Sequence, residues 1–436
     1  MSDSVPDLAN GLSLPAPTMT SLGVRFRRGA ALSTLIASTL AVVGCGDDPV
    51  TPDNQEIVIG GLFSLTGNWS SLGTSSKAAM EIGIEDVNAY LAEGNTGLHF
   101  AASIKDTRLD PPTALTAITA LKDAGVEVVL GPQSSAEVAA IKSYVDANGV
   151  LVASQSSTAG TLAIPDDNIF RFTPSDTLEA VALVGLMKAD GMATIIPFWR
   201  NDAGNIGLQV ATRALFSSVG TVKPGVEYAA TQPDIAAALA SLKTQVQEAI
   251  TESGGTTTVA VAHAGFDEVV DIFNAATTDP VLSSVRWYGT DGTALTEPLR
   301  IDATAAAFAR TVDFWAPIPG VDREASDRWK PIADRIAARA GGQPDAFGLA
   351  VYDAVWVTAQ AYLAVGGRGH AAALKTAFVT AANSLYGASG WTALNPAGDR
   401  RFGDFDFFGL SESGSSSTWT LRAQYDTQRG VLTRVP

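Results

Sequence analysis

Short apolar runs alternate along most of this chain with longer stretches in which apolar residues recur every three or four positions. The first pattern is that of a strand buried on both faces and the second that of an amphipathic helix lying on it. Glu56-Ile57-Val58-Ile59-Gly60 opens the series, and further strands are expected at 98–104, 126–130 and 150–153. The intervening segments carry helix punctuation. Asp110-Pro111 places an N-cap before a proline at the first helical position, and Gly125 ends that helix. Ser134 or Ser135 starts the next, which runs to about Asn148 and stops at Gly149. After the turn-rich stretch Phe170-Arg171-Phe172-Thr173-Pro174-Ser175-Asp176 a second series begins. Its strands are expected at 193–198, 226–229, 258–262 and 286–289, with helices near 176–189, 205–218, 234–253 and 267–277. The last third differs: helices near 324–340, 346–365 and 371–384 precede strands at 401–408 and 417–424. Two βαβ series imply an α/β protein of two Rossmann-like lobes, each with a largely parallel central sheet under helices.

The N-terminal segment breaks this rhythm. Arg25, Arg27 and Arg28 precede an apolar run over 29–43, which ends in Val42-Val43-Gly44-Cys45. That is the layout of a signal peptide over 1–44. Its ending resembles a bacterial lipobox, which implies that Cys45 becomes the lipid-bearing N-terminus. Residues 1–18 are polar and acidic and suit neither a leader nor a fold, so translation is expected to begin at Met19. Residues 45–54, with two prolines and three acids, read as a tether.

Composition narrows the function. The chain has 436 residues, 29 basic against 45 acidic, and a formal charge of −16. Nucleic acid is excluded as a partner by that balance, since phosphate neutralisation needs clustered Lys and Arg. The lone cysteine, Cys45, rules out an internal disulfide. His99, His263 and His370 lie too far apart for a zinc spacing. No nucleophile elbow, Walker loop or His-Glu-x-x-His motif is present. The expectation is a binding protein that is not an enzyme and carries no cofactor.

In open α/β sheets ligands sit beyond the carboxyl ends of the strands. Four loops there carry candidate chemistry. Ser64-Leu65-Thr66-Gly67-Asn68-Trp69-Ser70-Ser71-Leu72-Gly73 offers Trp69 either as a ligand wall or as a ring packed under its loop. Gly131-Pro132-Gln133-Ser134-Ser135 joins a strand to a helix start, a place for an ordinary serine cap and equally for a carboxylate. Ser154-Gln155-Ser156-Ser157-Thr158 is hydroxyl-rich, and either a plain polar loop or a contact surface. Gly289-Thr290-Asp291-Gly292 is a turn whose Asp291 could accept from a ligand ammonium. His263 to Phe266 is a weaker fifth candidate.

Taken in this order, and with Leu394-Asn395-Pro396-Ala397-Gly398-Asp399-Arg400 near the end, these loops resemble those of the type I periplasmic-binding fold, in its leucine/isoleucine/valine-binding branch that serves ABC transporters. The resemblance covers 57–421. It implies three chain crossings, a three-strand hinge, and lobes of 55–173 with 318–390 and of 174–317 with 391–436. It implies a carboxylate site at Ser135, at the backbone of Ser156 and at the hydroxyl and N–H of Thr158. Asp291 would then meet the ammonium, with Trp69 and Leu72 as pocket wall. Gly204 stands where the family has an aromatic ring, so the pocket is expected to be wider or closed by Trp199 or Phe266. The implied partners are a small ligand such as an amino acid, an ABC permease, and the membrane through the lipid on Cys45. The implied location is outside the cytoplasm. A short amide, urea or aromatic acid as ligand, and a sensing rather than a transport role, remain open at this level.

Overall fold

A computed structural model describes residues 55–342, 345–369, 371–414 and 416–435. The leader, Cys45 and the tether lie outside the described residues.

The first sheet holds five parallel strands in the order β2-β1-β3-β4-β5. They are β1 (Gln55–Phe63), β2 (Leu98–Asp106), β3 (Val128–Leu130), β4 (Leu151–Ser154) and β5 (Ile169–Arg171). Parallel strands are covered on both faces, which is why β3 and β4 are buried throughout. Successive residues serve opposite faces: Val128 and Leu130 join one apolar cluster and Val129 the other. The connecting helices are α1 (Ser70–Glu93), α2 (Pro111–Asp123) and α3 (Ser135–Asn148). Asp110 caps α2 by accepting from the Thr113 N–H at 3.0 Å. Ser134 and Glu137 form a capping box on α3, and Gly149 ends it in the left-handed region.

The second sheet has nine strands. Six are β6 (Thr194–Asn201), β7 (Thr221–Val222), β8 (Val226–Ala229), β9 (Val259–Ala264), β10 (Arg286–Tyr288) and β11 (Trp315–Pro319), all paired in parallel among themselves. The helices between them are α4 (Asp176–Ala189), α5 (Ala203–Phe216), α6 (Ile235–Ser253), α7 (Val269–Ala276), α8 (Glu297–Ile301) and α9 (Ala303–Thr311). The chain then leaves this sheet for α10 (Ser326–Ala340), α11 (Ala346–Val365) and α12 (Ala371–Ser384). Helix α11 is long and apolar enough to cross a membrane, but it is mostly buried here. Its side chains pack into the apolar cluster shared with α1 and the first sheet, so it is apolar nearly all round. After the small hairpin of β12 (Tyr386–Gly387) and β13 (Gly390–Trp391), the chain returns as β14 (Phe405–Ser413), β15 (Ser416–Asp426) and β16 (Val431–Arg434). These three extend the second sheet antiparallel from β11.

Three differences from the sequence reading have physical causes. Ile169–Arg171 is a strand, not only a crossing, because Val152, Ala153 and Ser154 of β4 pair with it. Strand β11 carries two prolines, which argue against a strand by sequence. It is paired to β10 only at Trp315, so beyond that point one edge makes no demand for N–H donors. Helices α8 and α9 were not expected. Asp302 caps α9 by accepting from the Thr304 and Ala305 N–H groups.

Three chain segments pass between the sheets and are tied to one another. The Arg171 N–H donates to the Gly398 carbonyl, the Arg400 N–H to the Arg171 carbonyl, and the Gly320 N–H to the Asp404 carbonyl. Arg171 Nε donates to Asp399 Oδ1 at 2.5 Å, with both side chains almost wholly buried. Its Nη1 donates to the Ala159 carbonyl at 2.5 Å. Removing one partner of a buried ion pair leaves the other charge desolvated and alone, a loss of roughly 3–5 kcal/mol. Arg171→Met is therefore expected to lower the denaturant midpoint sharply. Adding Asp399→Leu should recover most of the loss, and a double variant no more stable than Arg171→Met would contradict this account.

Candidate functional site

Each candidate loop leaves the carboxyl end of a strand, and a few buried polar side chains set its shape. Gln133 is fully buried and ties two loops of the first sheet together. Its Oε1 accepts from the Ser64 N–H at 2.6 Å, and its Nε2 donates to the Trp69 carbonyl at 3.2 Å. The sequence reading gave Gln133 no role of its own; a polar residue between a buried strand and a cap was the available signal.

The hydroxyl loop forms a shelf. Ser154 Oγ donates to the Pro132 carbonyl at 2.6 Å and Ser156 Oγ to the Gln133 carbonyl at 2.9 Å. Ser135 Oγ accepts from the N–H groups of Thr158 at 3.2 Å and Ala159 at 3.1 Å, and lies 3.0 Å from Ser157 Oγ. The Thr158 N–H, expected to face a ligand, is thus engaged by Ser135 in this structure. The Thr158 carbonyl accepts from the Asp176 N–H at 2.9 Å, which carries the shelf to the first turn of α4.

Aromatic rings close the other side. Trp69 sits in the left-handed region (φ 57°) at the start of α1. It stacks on Phe266 of the second sheet at 4.5 Å between centroids and meets Phe347 edge-on at 6.1 Å. Such ring pairs contribute about 0.5–1.5 kcal/mol beyond area burial. Trp69, Leu72, Leu109 and Phe347 share one apolar cluster with Phe266 and Ala294, so the two lobes are in contact here. Asn68 adds a polar latch: its Nδ2 donates to Glu268 Oε2 at 2.6 Å and its Oδ1 accepts from the Asp267 N–H at 3.0 Å. Glu268 is held in turn by the Tyr228 hydroxyl at 2.9 Å and by Arg200 at 3.6 Å. His263 Nε2 lies 3.0 Å from that hydroxyl; burial pushes its pKa down to about 4, so the ring is neutral and part of the latch's support.

No ring occupies position 204. A Cβ on Gly204 would lie 3.4 Å from Ser135 Oγ, so α5 approaches the shelf closely instead of leaving a wider space. Of the two side chains expected to compensate, Phe266 meets Trp69, whereas Trp199 gives its indole N–H to Glu227 at 3.2 Å.

Asp291 lies in the loop after β10, and its N–H donates to Glu179 Oε1 at 3.0 Å. Asp176, Glu179 and Asp291 are all buried. Burial, foremost, pushes Asp176 up to about 7; the neighbouring Asp291 adds to the rise, while Thr158 and Arg171 oppose it. Burial likewise pushes Asp291 up to about 7 and lifts Glu179 well above the carboxylate range, with repulsion from Asp291 and Asp176 adding to the latter. Among the described residues neither oxygen of Asp176, nor Glu179 Oε2, has a hydrogen-bond partner. The sequence reading missed both acids, since Ser175-Asp176 looks like a helix start. Their i, i+3 spacing, which sets them on one helix face, was the signal. Asp291 also lines a cavity of about 260 Å³ between the lobes, with Trp69, Phe347, Leu295 and Asp345. Asp345 caps α11 through the Gly348 N–H at 2.8 Å, and burial pushes it up to about 6.

A pH dependence follows. Asp176, Glu179, Asp267, Asp291 and Asp345 all have pKa values raised by burial. Such a group binds protons more tightly when folded than unfolded. Its stabilising contribution is complete below the unfolded pKa and is lost as pH rises through the folded one. His263, lowered by burial, acts in the opposite sense only below its unfolded pKa of about 6.5. The denaturation midpoint of the ligand-free protein should therefore be higher at about pH 6 than at about pH 8, and Asp176→Asn should flatten the difference. A midpoint that rises with pH over this window would contradict it.

The description "receptor family ligand binding region" fits residues 75–413, most of the chain. An uncharacterized protein of Methanocaldococcus jannaschii is 27% identical over 415 residues, 90% of this chain and 96% of its own. Among solved structures, the branched-chain amino acid transporter substrate-binding protein LivJ of Streptococcus pneumoniae, in complex with isoleucine, superposes with a TM-score of 0.65 at 18% identity. That match covers 84% of this chain and 99% of LivJ. A solute-binding protein of an ABC transporter from Rhodopseudomonas palustris, in complex with 3,4-dihydroxybenzoic acid, superposes with a TM-score of 0.64 at 11% identity over 85% and 98% of the two chains. The chain belongs to the receptor ligand-binding-region family, and its fold is the type I periplasmic-binding fold of ABC-transporter solute-binding proteins.

Proposed function

We propose that this protein is the solute-binding component of an ABC transporter, taking a small amine-bearing molecule such as an amino acid between its lobes and presenting it to a membrane permease. The observation that carries this reading is the meeting, between the lobes, of a donor-rich shelf with buried carboxylates. The Thr158 and Ala159 N–H groups converge on one point, now occupied by Ser135 Oγ. A ligand carboxylate could accept from the same donors, with Ser135 and Ser156 bordering it. Asp291 would receive the ammonium, and Trp69, Leu72 and Phe266 would wall the side chain. The proposed lobes are 55–173 with 318–390 and 174–317 with 391–436.

An aromatic acid is the second reading, since a protein of this fold holds 3,4-dihydroxybenzoic acid. An amine-bearing ligand is the first reading because Asp291 could give it a charge-assisted hydrogen bond that an aromatic acid cannot receive. A ligand-presenting sensor would use the same cleft.

A thermal-shift screen of the purified protein against amino acids, short amides and aromatic acids tests the reading. A ligand at about 100 times its Kd stabilises the folded state by roughly 2.7 kcal/mol. A charge-assisted hydrogen bond is worth about 1.5–3 kcal/mol, so Asp291→Ala should weaken an amine ligand roughly ten- to hundred-fold by calorimetry. Binding of aromatic acids alone, indifferent to Asp291→Ala, would favour the second reading. The location proposed is outside the cytoplasm, with a lipid on Cys45. Cys45→Ser should abolish incorporation of labelled fatty acid in cells; undiminished labelling would remove the anchor from this account.

A further inference from the structure

We propose that Asn68 of the first lobe and Asp267 and Glu268 of the second form a latch that holds the lobes together without a ligand, and that the second lobe thereby caps the first helix of the first. The latch is independent of which solute the cleft takes. Both ends of the Asn68 amide are engaged at the boundary. Its Nδ2 donates to Glu268 Oε2 at 2.6 Å, and its Oδ1 accepts from the Asp267 N–H at 3.0 Å and from the Trp69 N–H at 2.9 Å.

Each half of the latch is fixed by its own lobe and takes its last partner from the other. On the second lobe, Glu268 Oε1 accepts from the Tyr228 hydroxyl at 2.9 Å and from the Phe266 N–H at 3.2 Å, and Arg200 lies 3.6 Å away. Burial opposes a charge on Glu268, yet Arg200 and Asn68 together hold its pKa below the usual carboxylate value. The bond from Asn68 therefore ends on a carboxylate and is charge-assisted. On the first lobe, the Asn68 carbonyl accepts from Ser64 Oγ at 2.9 Å and the Trp69 carbonyl from Gln133 Nε2 at 3.2 Å. With both halves already ordered, little side-chain freedom is lost when they meet.

Helix α1 shows the same dependence on the opposite lobe. Its boundary residue, Trp69, offers no side-chain cap, and its first turn holds no acid. Helices α2, α5, α6 and α9 are each capped by the Asp just before them. For α1 that part falls to Asp267, whose carboxylate faces the Trp69 and Ser70 N–H groups. The Asp267 N–H in turn donates to Asn68, so the exchange is that of a capping box divided between two lobes. Opening the lobes would strip α1 of this cap and part Trp69, only 4% exposed here, from Phe266.

Small-angle scattering on protein stripped of ligand by unfolding and refolding tests the latch. The parent should stay compact at neutral pH. Asn68→Asp, which sets a carboxylate against Glu268, should have a larger radius of gyration. Asp267→Ala should expand the protein as well, since loss of a helix cap corresponds to roughly a two- to thirty-fold change in the ratio of closed to open molecules. It also serves where the first variant does not fold, as judged by circular dichroism. Asp267→Asn should stay compact, because Asn caps a helix as well as Asp does. A parent already expanded without ligand, or an Asn68→Asp variant as compact as the parent, would overturn the latch. Expansion of Asp267→Asn as far as Asp267→Ala would overturn the capping role. The measurement needs no ligand, so the solute-binding reading stands or falls separately.

Discussion

Carboxylates are costly to bury, and the cleft of this protein buries several at one point. Asp176 and Glu179 project from the first turns of α4, and Asp291 meets Glu179 from the loop after β10. Their raised pKa values express one constraint: without a cation or a full set of donors, the charged forms are held out of water at a loss. The other parts of the site are arranged around it. The Thr158 carbonyl fixes the start of α4, the hydroxyl shelf fixes Thr158, and Gln133 ties the shelf to the Trp69 loop.

Contacts that do not involve the acids hold the lobes together against this strain. The Trp69–Phe266 stack and the Asn68–Glu268 and Asn68–Asp267 hydrogen bonds join loops of opposite sheets. At the far side of the cleft the three crossings are bound by main-chain hydrogen bonds and by the Arg171–Asp399 pair. Arg171 thus serves twice. Its Nη1 holds the Ala159 carbonyl in the shelf, and its charge moderates Asp176, so the hinge and the site share a residue.

The sequence made the alternation of strands and helices plain because it rests on local chemistry. Asp110, Ser134 and Gly149 act as the caps that their residue types imply. Strand β11 was hidden because its prolines are tolerated only through the partial pairing with β10, a tertiary fact. At the site, Trp69, Ser135 and Asp291 were visible as unusual residues in loops after strands. Asp176 and Glu179 were not, since an acid in the first turn of a helix has an ordinary explanation in the helix dipole. What makes them exceptional is burial against Asp291, 112 positions away from Glu179, and no local pattern encodes that. The absence of a ring at 204 was legible, but its consequence was not, because the space was filled by the approach of α5 to Ser135.

On the proposed reading, the opposition between latch and acids would give the fold a means of responding to a ligand. Stacking and hydrogen bonds across the cleft favour closure whether or not the cleft is occupied. Desolvation of the charged forms of Asp176, Glu179 and Asp291 disfavours it, and either a proton or a cation relieves that penalty. A ligand shifts such an equilibrium by its differential affinity for the two states. On the proposed reading, the acids would make closure respond to charge and to pH before any side-chain pocket discriminates by shape.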